Sequence, residues 1–509
     1  MGILMASLVF VLFAATASAA EPNLVWPQFR GPSGSGIAEG QKPPIELGPD
    51  TNVKWKTPVP RGSSSPIVVG DLLVLTAFDD GKLYTIAYHR ADGTEAWRAH
   101  APADTIEPYH ITEGSPAAST PVTDGRRIIS YFGSCGLFCY DLAGKQLWSY
   151  HLPTAATPFD FGTGVSPILA DGLVVLVRDE NKDSKILAVD AMTGRLAWEQ
   201  PRESRSSFCT PVVCDTPHSK EVVAAGHGKM IGYDLKTGTE NWSVVGMPSC
   251  ACATPVIVGG TLFFAGWSPG DDVKPPTFDA MIKDAEEEEQ GYITRPGLER
   301  AFLKGMFDAD DFDHRVQGID AIPGRMKGMF SSHDWDHDGR LTRQEWDDAV
   351  RLLATSKNSA FALKTGGSGD VTASHVLWKQ KSGLPYVPSG LVYRGQYVLV
   401  KDGGVVTIYD AESGKQTFQK RAAASGRYYA SPVAANGHIY FTRLDDGVIT
   451  VMNASGARPE IVARNPALDE RVDATPAIAD DTLYVRTAGN LYAFSATVPA
   501  GAAGKKLGR

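Results

Sequence analysis

Twelve consecutive residues in the second half of the chain carry the spacing of a metal-binding loop. Asp334, Asp336 and Asp338 stand at its first, third and fifth positions, and Glu345 at the twelfth. Gly339 occupies the sixth, where the chain must turn sharply. Arg340 at the seventh offers its backbone carbonyl. Thr342 at the ninth binds through its hydroxyl or a water, and Glu345 can give two oxygens. Hard oxygen donors in this order suit Ca2+, which takes about six to eight of them, better than Mg2+. The expected ligands are therefore Asp334, Asp336, Asp338, Arg340, Thr342 and Glu345, with Ca2+ as the cofactor.

Other chemistry is poorly represented. The six cysteines, Cys135, Cys139, Cys209, Cys214, Cys250 and Cys252, include no adjacent pair and no C-x-x-C. No zinc site is expected from them. Cys135 and Cys139 could bridge across a hairpin or remain buried thiols, so no disulfide is assigned. The chain has no H-E-x-x-H, no G-x-S-x-G elbow and no P-loop. It has no basic stripe to favour nucleic acid.

The metal loop has helical flanks. Met326, Met329 and Phe330 share a face before it, and Trp346, Ala349, Val350 and Leu353 share one after it. Together they spell an EF-hand. A degenerate partner is visible in residues 286–297, with Gly291 at the sixth position and Ile293 at the eighth. Gly297 replaces the twelfth-position acid, so this half should bind no calcium. If the two halves pair, Ile293 and Leu341 should meet in a short bridge; the alternative is an acidic helix with a turn.

The elements that must carry this loop are strands. Ser/Thr-Pro opens a β-branched run at Ser65, Thr120, Ser166, Thr210, Thr254, Ser431 and Thr475. Proline is tolerated there because the first residue of a strand owes no ladder bond. A second signal is a glycine followed four residues later by an aromatic, as in Gly93/Trp97, Gly144/Trp148, Gly194/Trp198, Gly238/Trp242 and Gly414/Phe418. The glycine closes a hairpin and the aromatic is expected to pack on the next strand. Two more alternating runs lie between the signals. Each unit therefore has four strands, A to D, with a period of about 40 to 55 residues, the range of a propeller blade. Eight units can be counted, the sixth reading Pro388-Ser389-Gly390-Leu391. The eighth lacks a D strand, and Val53 to Lys56, with Trp55, is an unclaimed D strand that would complete it.

The segment Ala188-Val189-Asp190-Ala191-Met192-Thr193-Gly194-Arg195-Leu196-Ala197-Trp198 matches the A-x-D-x-x-T-G-x-x-x-W tryptophan-docking pattern. Weaker copies end at Trp148 and Trp242. On these residues the chain resembles the quinoprotein-like (PQQ-like repeat) β-propeller family, which includes quinoprotein alcohol dehydrogenases and outer-membrane assembly propellers. The opening Trp26-Pro27-Gln28-Phe29-Arg30-Gly31-Pro32, with Tyr428 to Pro432, is similar to planctomycete-type secreted members. The resemblance agrees with the blade count in implying an all-β, eight-bladed β-propeller, to which the metal loop adds an inserted α-helical EF-hand module. It also implies two functions of different class, a binding or assembly scaffold and a PQQ-dependent dehydrogenase of alcohol or sugar type. The adjacent cysteines of many quinoprotein dehydrogenases are absent, and so are the long loops that bury the cofactor. A non-enzymatic scaffold without PQQ is therefore expected, with no catalytic residue assigned.

Residues 1–20 read as a signal peptide cleaved near Ala19 or Ala20, which implies a periplasmic or secreted protein. No later apolar run is long enough to span a membrane. The expected organisation is then an extension over 21–50, propeller over 51–267, the EF-hand insertion over 268–356, propeller over 357–498 and a disordered tail over 499–509. The insertion holds 20 acidic and 11 basic residues, which accounts for the whole formal charge of −9. The expected partner is a protein or polymer at the mouth of the channel, bound by a monomer. Residues just before each A strand should surround that mouth, among them Arg61, His110, Glu113, Asp160, Arg205, Tyr386, Arg427, Tyr428, Arg471 and Asp473.

Overall fold

Eight separate antiparallel sheets form the body of the chain, one for each repeat. The computed structural model describes residues 25–496 other than 206, 218, 269–270, 272–275, 308–329, 331–332, 335–337 and 455–458. The expected signal segment and tail, and Asp336, Met326 and Met329, lie outside the described residues. The first blade runs Ile67–Val69, Leu72–Asp79, Lys82–His89 and Glu95–Ala101, with β-branched residues on the inner strands and charge on the outermost. The sixth blade begins at Leu391–Tyr393. Gly390 replaces its proline because a side chain there would strike the ring of Tyr397 at 2.4 Å.

The ring closes as the sequence predicts. Val53–Pro58 pairs antiparallel with Asn490–Ser495 and becomes the outermost strand of the eighth blade. The protein is an all-β, eight-bladed propeller. One blade departs from four strands: in the fourth, Gly369–Asp370 pairs parallel to Glu240–Val245 as a fifth.

The tryptophans explain that exception, and they correct the packing expected of them. Each docks on the next blade rather than within its own. Trp55 covers Gly93, Trp97 covers Gly144, Trp148 covers Gly194, Trp198 covers Gly238 and Trp378 covers Gly414, so close that a Cβ would lie 2.4–2.7 Å from the indole. Each indole N–H donates to a carbonyl of that next blade at 2.9–3.0 Å. Trp242 has no such glycine ahead of it, because the fifth blade lacks the turn. Its N–H donates instead to Glu221 Oε2 at 2.7 Å, and the Gly369–Asp370 strand covers the edge it leaves.

The insertion leaves the fifth blade between Thr261–Gly266 and Ser359–Lys364, the B–C hairpin. Its two ends are clasped by Ser268 and Asn358, which exchange hydrogen bonds at 2.7 and 3.1 Å. Its described helices are α1 (Phe278–Asp284), α2 (Arg295–Phe307) and α3 (Arg343–Thr355). They share a small core of Phe278, Ile282, Ile293, Leu298, Phe330, Leu341 and Trp346, separate from the blades.

Candidate functional site

The hydroxyls that open the A strands form a closed belt around the channel. The backbone N–H of Ser65 donates to Thr120, Thr120 to Ser166, Ser166 to Thr210, Thr210 to Thr254, Thr254 to Ser389, Ser389 to Ser431, Ser431 to Thr475 and Thr475 back to Ser65, all at 2.9–3.2 Å. Each side chain thus satisfies the buried N–H of the blade before it. This is why Ser or Thr recurs at that position and why the sixth blade keeps Ser389 while losing proline.

Below the belt the N-terminal segment closes the channel. Trp26 is fully buried and bonds Val68 of the first blade. Pro27 accepts from Thr123 of the second, Arg30 reaches the Gly390 carbonyl of the sixth at 2.5 Å, and Gly36 and Ala38 bond Ala434 of the seventh. Gly31 takes φ +68 directly beneath the Trp26 ring, where a Cβ would lie 2.6 Å away. Burial lowers the Arg30 guanidinium to about 10. Phe29 projects into the cavity left above.

That cavity, about 190 Å3, is lined by the belt and by one residue two positions before each belt hydroxyl: Ser63, Ala118, Gly164, Phe208, Cys252, Val387, Tyr429 and Asp473. Extended chain alternates its side chains, so this register faces the channel and the intervening residue packs between blades. Glu113, Phe161, Cys250 and Tyr386 add to the wall. Of the residues predicted for the mouth, Glu113, Tyr386 and Asp473 line it. Arg471 grips Asp473 at 2.6 Å and covers the Tyr429 ring, and Arg427 pairs with Glu113 and Asp445. Tyr429 donates to Glu113. Arg61, His110 and Asp160 do not line the cavity. Tyr428 is a correction: it is fully buried in the core, donating to the Ala424 carbonyl, because it falls on the odd side of the alternation. Counting two residues back from each Ser/Thr would have found Phe208, Cys252 and Tyr429.

All six cysteines are free, and burial pushes Cys135 and Cys139 up to about 12.

Arg205 turns away from the channel toward the insertion. Burial pushes it down to about 10, opposed by Asp348 and Glu345 of the insertion. A cleft separates the two bodies there, lined by Asn181 to Ser184 and Arg202 to Arg205 on one side and Thr342, Gln344, Glu345 and Arg351 on the other. In the predicted metal loop, Gly339 has φ +80 and its N–H donates to Asp334 Oδ2 at 3.1 Å. Glu345 Oε2 accepts from the Thr342 N–H and hydroxyl at 2.8 and 2.7 Å. Ile293 and Leu341 do meet, exchanging bonds at 2.9 and 2.8 Å. Among the described residues no three acidic, histidine or cysteine side chains converge as a metal site, and Asp336 is not among them. The donor set is nevertheless one of hard oxygens. Asp334 and Glu345 are only 5% and 7% exposed, and carboxylates at that depth are ordinarily paired or bound to metal.

Eight blades, with five of their junctions locked by tryptophan on glycine, define a PQQ-like-repeat propeller. The chain belongs to the family described as outer membrane protein assembly factor BamB, whose model matches residues 85–270 and 369–498. Outer membrane protein assembly factor BamB of Burkholderia pseudomallei (strain K96243) is 27% identical over 224 residues, 42% of this chain and 53% of that protein. The chain therefore spans about half the length of that relative. BamB from Moraxella catarrhalis superposes with a TM-score of 0.50 at 12% identity, over 86% of this chain and 97% of the other. A europium-containing methanol dehydrogenase does so at 0.51 and 9%, over 93% and 98%. The computationally designed Ika8 protein gives 0.52 and 10%, over 87% and 99%. At such identities these structures share the fold alone.

Proposed function

We propose that this chain is an exported binding or assembly scaffold that holds part of a protein or polymer ligand in the mouth of its channel, beside a calcium-binding insertion. The observation that carries this reading is the cavity in the channel. Phe29 and the belt hydroxyls line it together with the aromatic rings of Phe208, Tyr386 and Tyr429 and the acidic groups of Glu113 and Asp473. A concavity with a few convergent polar groups is the default place for a ligand. Membership of an assembly-factor family supports a protein ligand. Among the described residues no helix is long and apolar enough to cross a membrane, which is compatible with an exported protein.

Calcium is assigned to Asp334, Asp336, Asp338, Arg340, Thr342 and Glu345, with an affinity of about 10⁻⁴ to 10⁻³ M, as in extracellular modules. It would offset the crowding of four carboxylates in one loop and order the insertion above blades three and four. The same reading assigns no quinone and no turnover.

A photo-crosslinking residue in place of Tyr429 should capture a defined protein in cells, and one in place of exposed Met192 should not. Calorimetry should show calcium binding that Glu345→Gln and Asp334→Ala abolish. A saturable absorbance change with PQQ and Ca2+, coupled to dye-linked alcohol oxidation, would replace the scaffold reading with the dehydrogenase one.

A further inference from the structure

The first half of the insertion lacks the twelfth-position metal ligand, and protein charges stand in its place. Gly297 occupies the twelfth position, and the Glu287 carboxylate folds in against it. A Cβ on Gly297 would lie 2.1 Å from Glu287 Oε2. That carboxylate accepts from the Thr294 N–H at 2.6 Å and the Thr294 hydroxyl at 2.5 Å. Glu345 makes the same two bonds to Thr342 in the second loop. Each loop therefore holds a carboxylate against its ninth-position threonine at the start of a helix.

The halves differ in what neutralises that carboxylate. Arg300 of α2 lies 3.2 Å from Glu287 Oε1 and donates Nε and Nη2 to the Ala285 carbonyl at 3.1 and 2.8 Å. Ala285 caps the end of α1, and the chain leaves it through Glu286 at φ +58, with the Glu287 N–H bonded back to the Ile282 carbonyl. The carboxyl end of a helix favours a cation. Arg300 thus ties the end of α1, the loop carboxylate and the start of α2, which is the work a calcium ion does in an intact hand.

We infer that Arg300 is a built-in cation that keeps the first hand closed without metal, so that the insertion takes one Ca2+ and its second loop folds against a half already ordered. The lock stands by itself; only its effect on metal affinity rests on the calcium reading above. The coupling runs through the two Ile293–Leu341 bonds and the core shared by Ile293, Leu298, Leu341 and Trp346.

The test uses the full chain carrying Arg300→Met, which keeps most of the stem, and Arg300→Lys, which keeps the charge. Hydrogen exchange in EGTA should be faster over residues 286–297 in Arg300→Met and largely restored in Arg300→Lys. Calorimetry with CaCl2 should give one site in the wild type, weakened on the order of tenfold by Arg300→Met. If Glu345→Gln and wild type give the same calcium trace, the calcium reading fails, and the exchange comparison still decides the lock. Equal exchange of Arg300→Met and wild type over 286–297, or two calcium ions per wild-type chain, would overturn the inference.

Discussion

Glu107 shows how one buried carboxyl sets a pH dependence. It lies in the loop between the first two blades, accepts from the Thr163 N–H at 3.1 Å and hydroxyl at 2.9 Å, and is 1% exposed. Burial raises its carboxyl from 4.5 to about 8, against the pull of the Thr163 bonds and Arg178. A folded-state value above the unfolded one means that the contribution to stability is complete below about 4.5 and is lost as pH rises through about 8. Glu107→Gln keeps an acceptor for Thr163 and cannot ionise. The variant should therefore gain on the wild type between pH 5 and pH 9, read as the difference in urea midpoints. A difference that stays constant or shrinks would exclude a protonated Glu107.

At the scale of elements, the N-terminal segment does two jobs. Trp26 to Ala38 floors the channel, and Val53–Pro58 closes the ring. Removing residues up to Pro60 exposes a sheet edge on the eighth blade and uncovers Gly93, so the truncated chain should be less stable and should aggregate. Trp55→Ala isolates the docking contribution and should cost about 3–5 kcal/mol in chemical denaturation. A loss well below 1 kcal/mol would mean that strand pairing alone closes the ring.

The belt belongs to the whole molecule, since every blade supplies one acceptor and one donor to its neighbours. Thr254→Val removes an acceptor with little change of shape and leaves the Thr210 N–H buried, which should cost about 1–3 kcal/mol. Thr254→Ser restores the acceptor and should recover most of that. The insertion has its own core, so on the calcium reading proposed above chelation should speed exchange only within residues 268–356. Melting of the blades by chelator would give the metal a role in the propeller itself.

The number of blades, the completing strand at Val53–Pro58 and the insertion point in the fifth blade were all legible from local signals. Strand alternation, Ser/Thr at strand starts and the glycine of each hairpin are short-range demands that every repeat must meet. The Ile293–Leu341 pair was legible for the same reason, because loop positions are counted along one chain. The partner of each tryptophan, the acceptor of each belt N–H and the side of the alternation facing the channel were decided between blades. Arg300 is a similar case: nothing in its spacing marks it, and it acquires its place only when α2 packs beside the end of α1. Adjacent residues can reveal a turn or a loop, but the neighbours that satisfy a buried N–H or a buried charge come from distant chain, and only the closed ring brings them together.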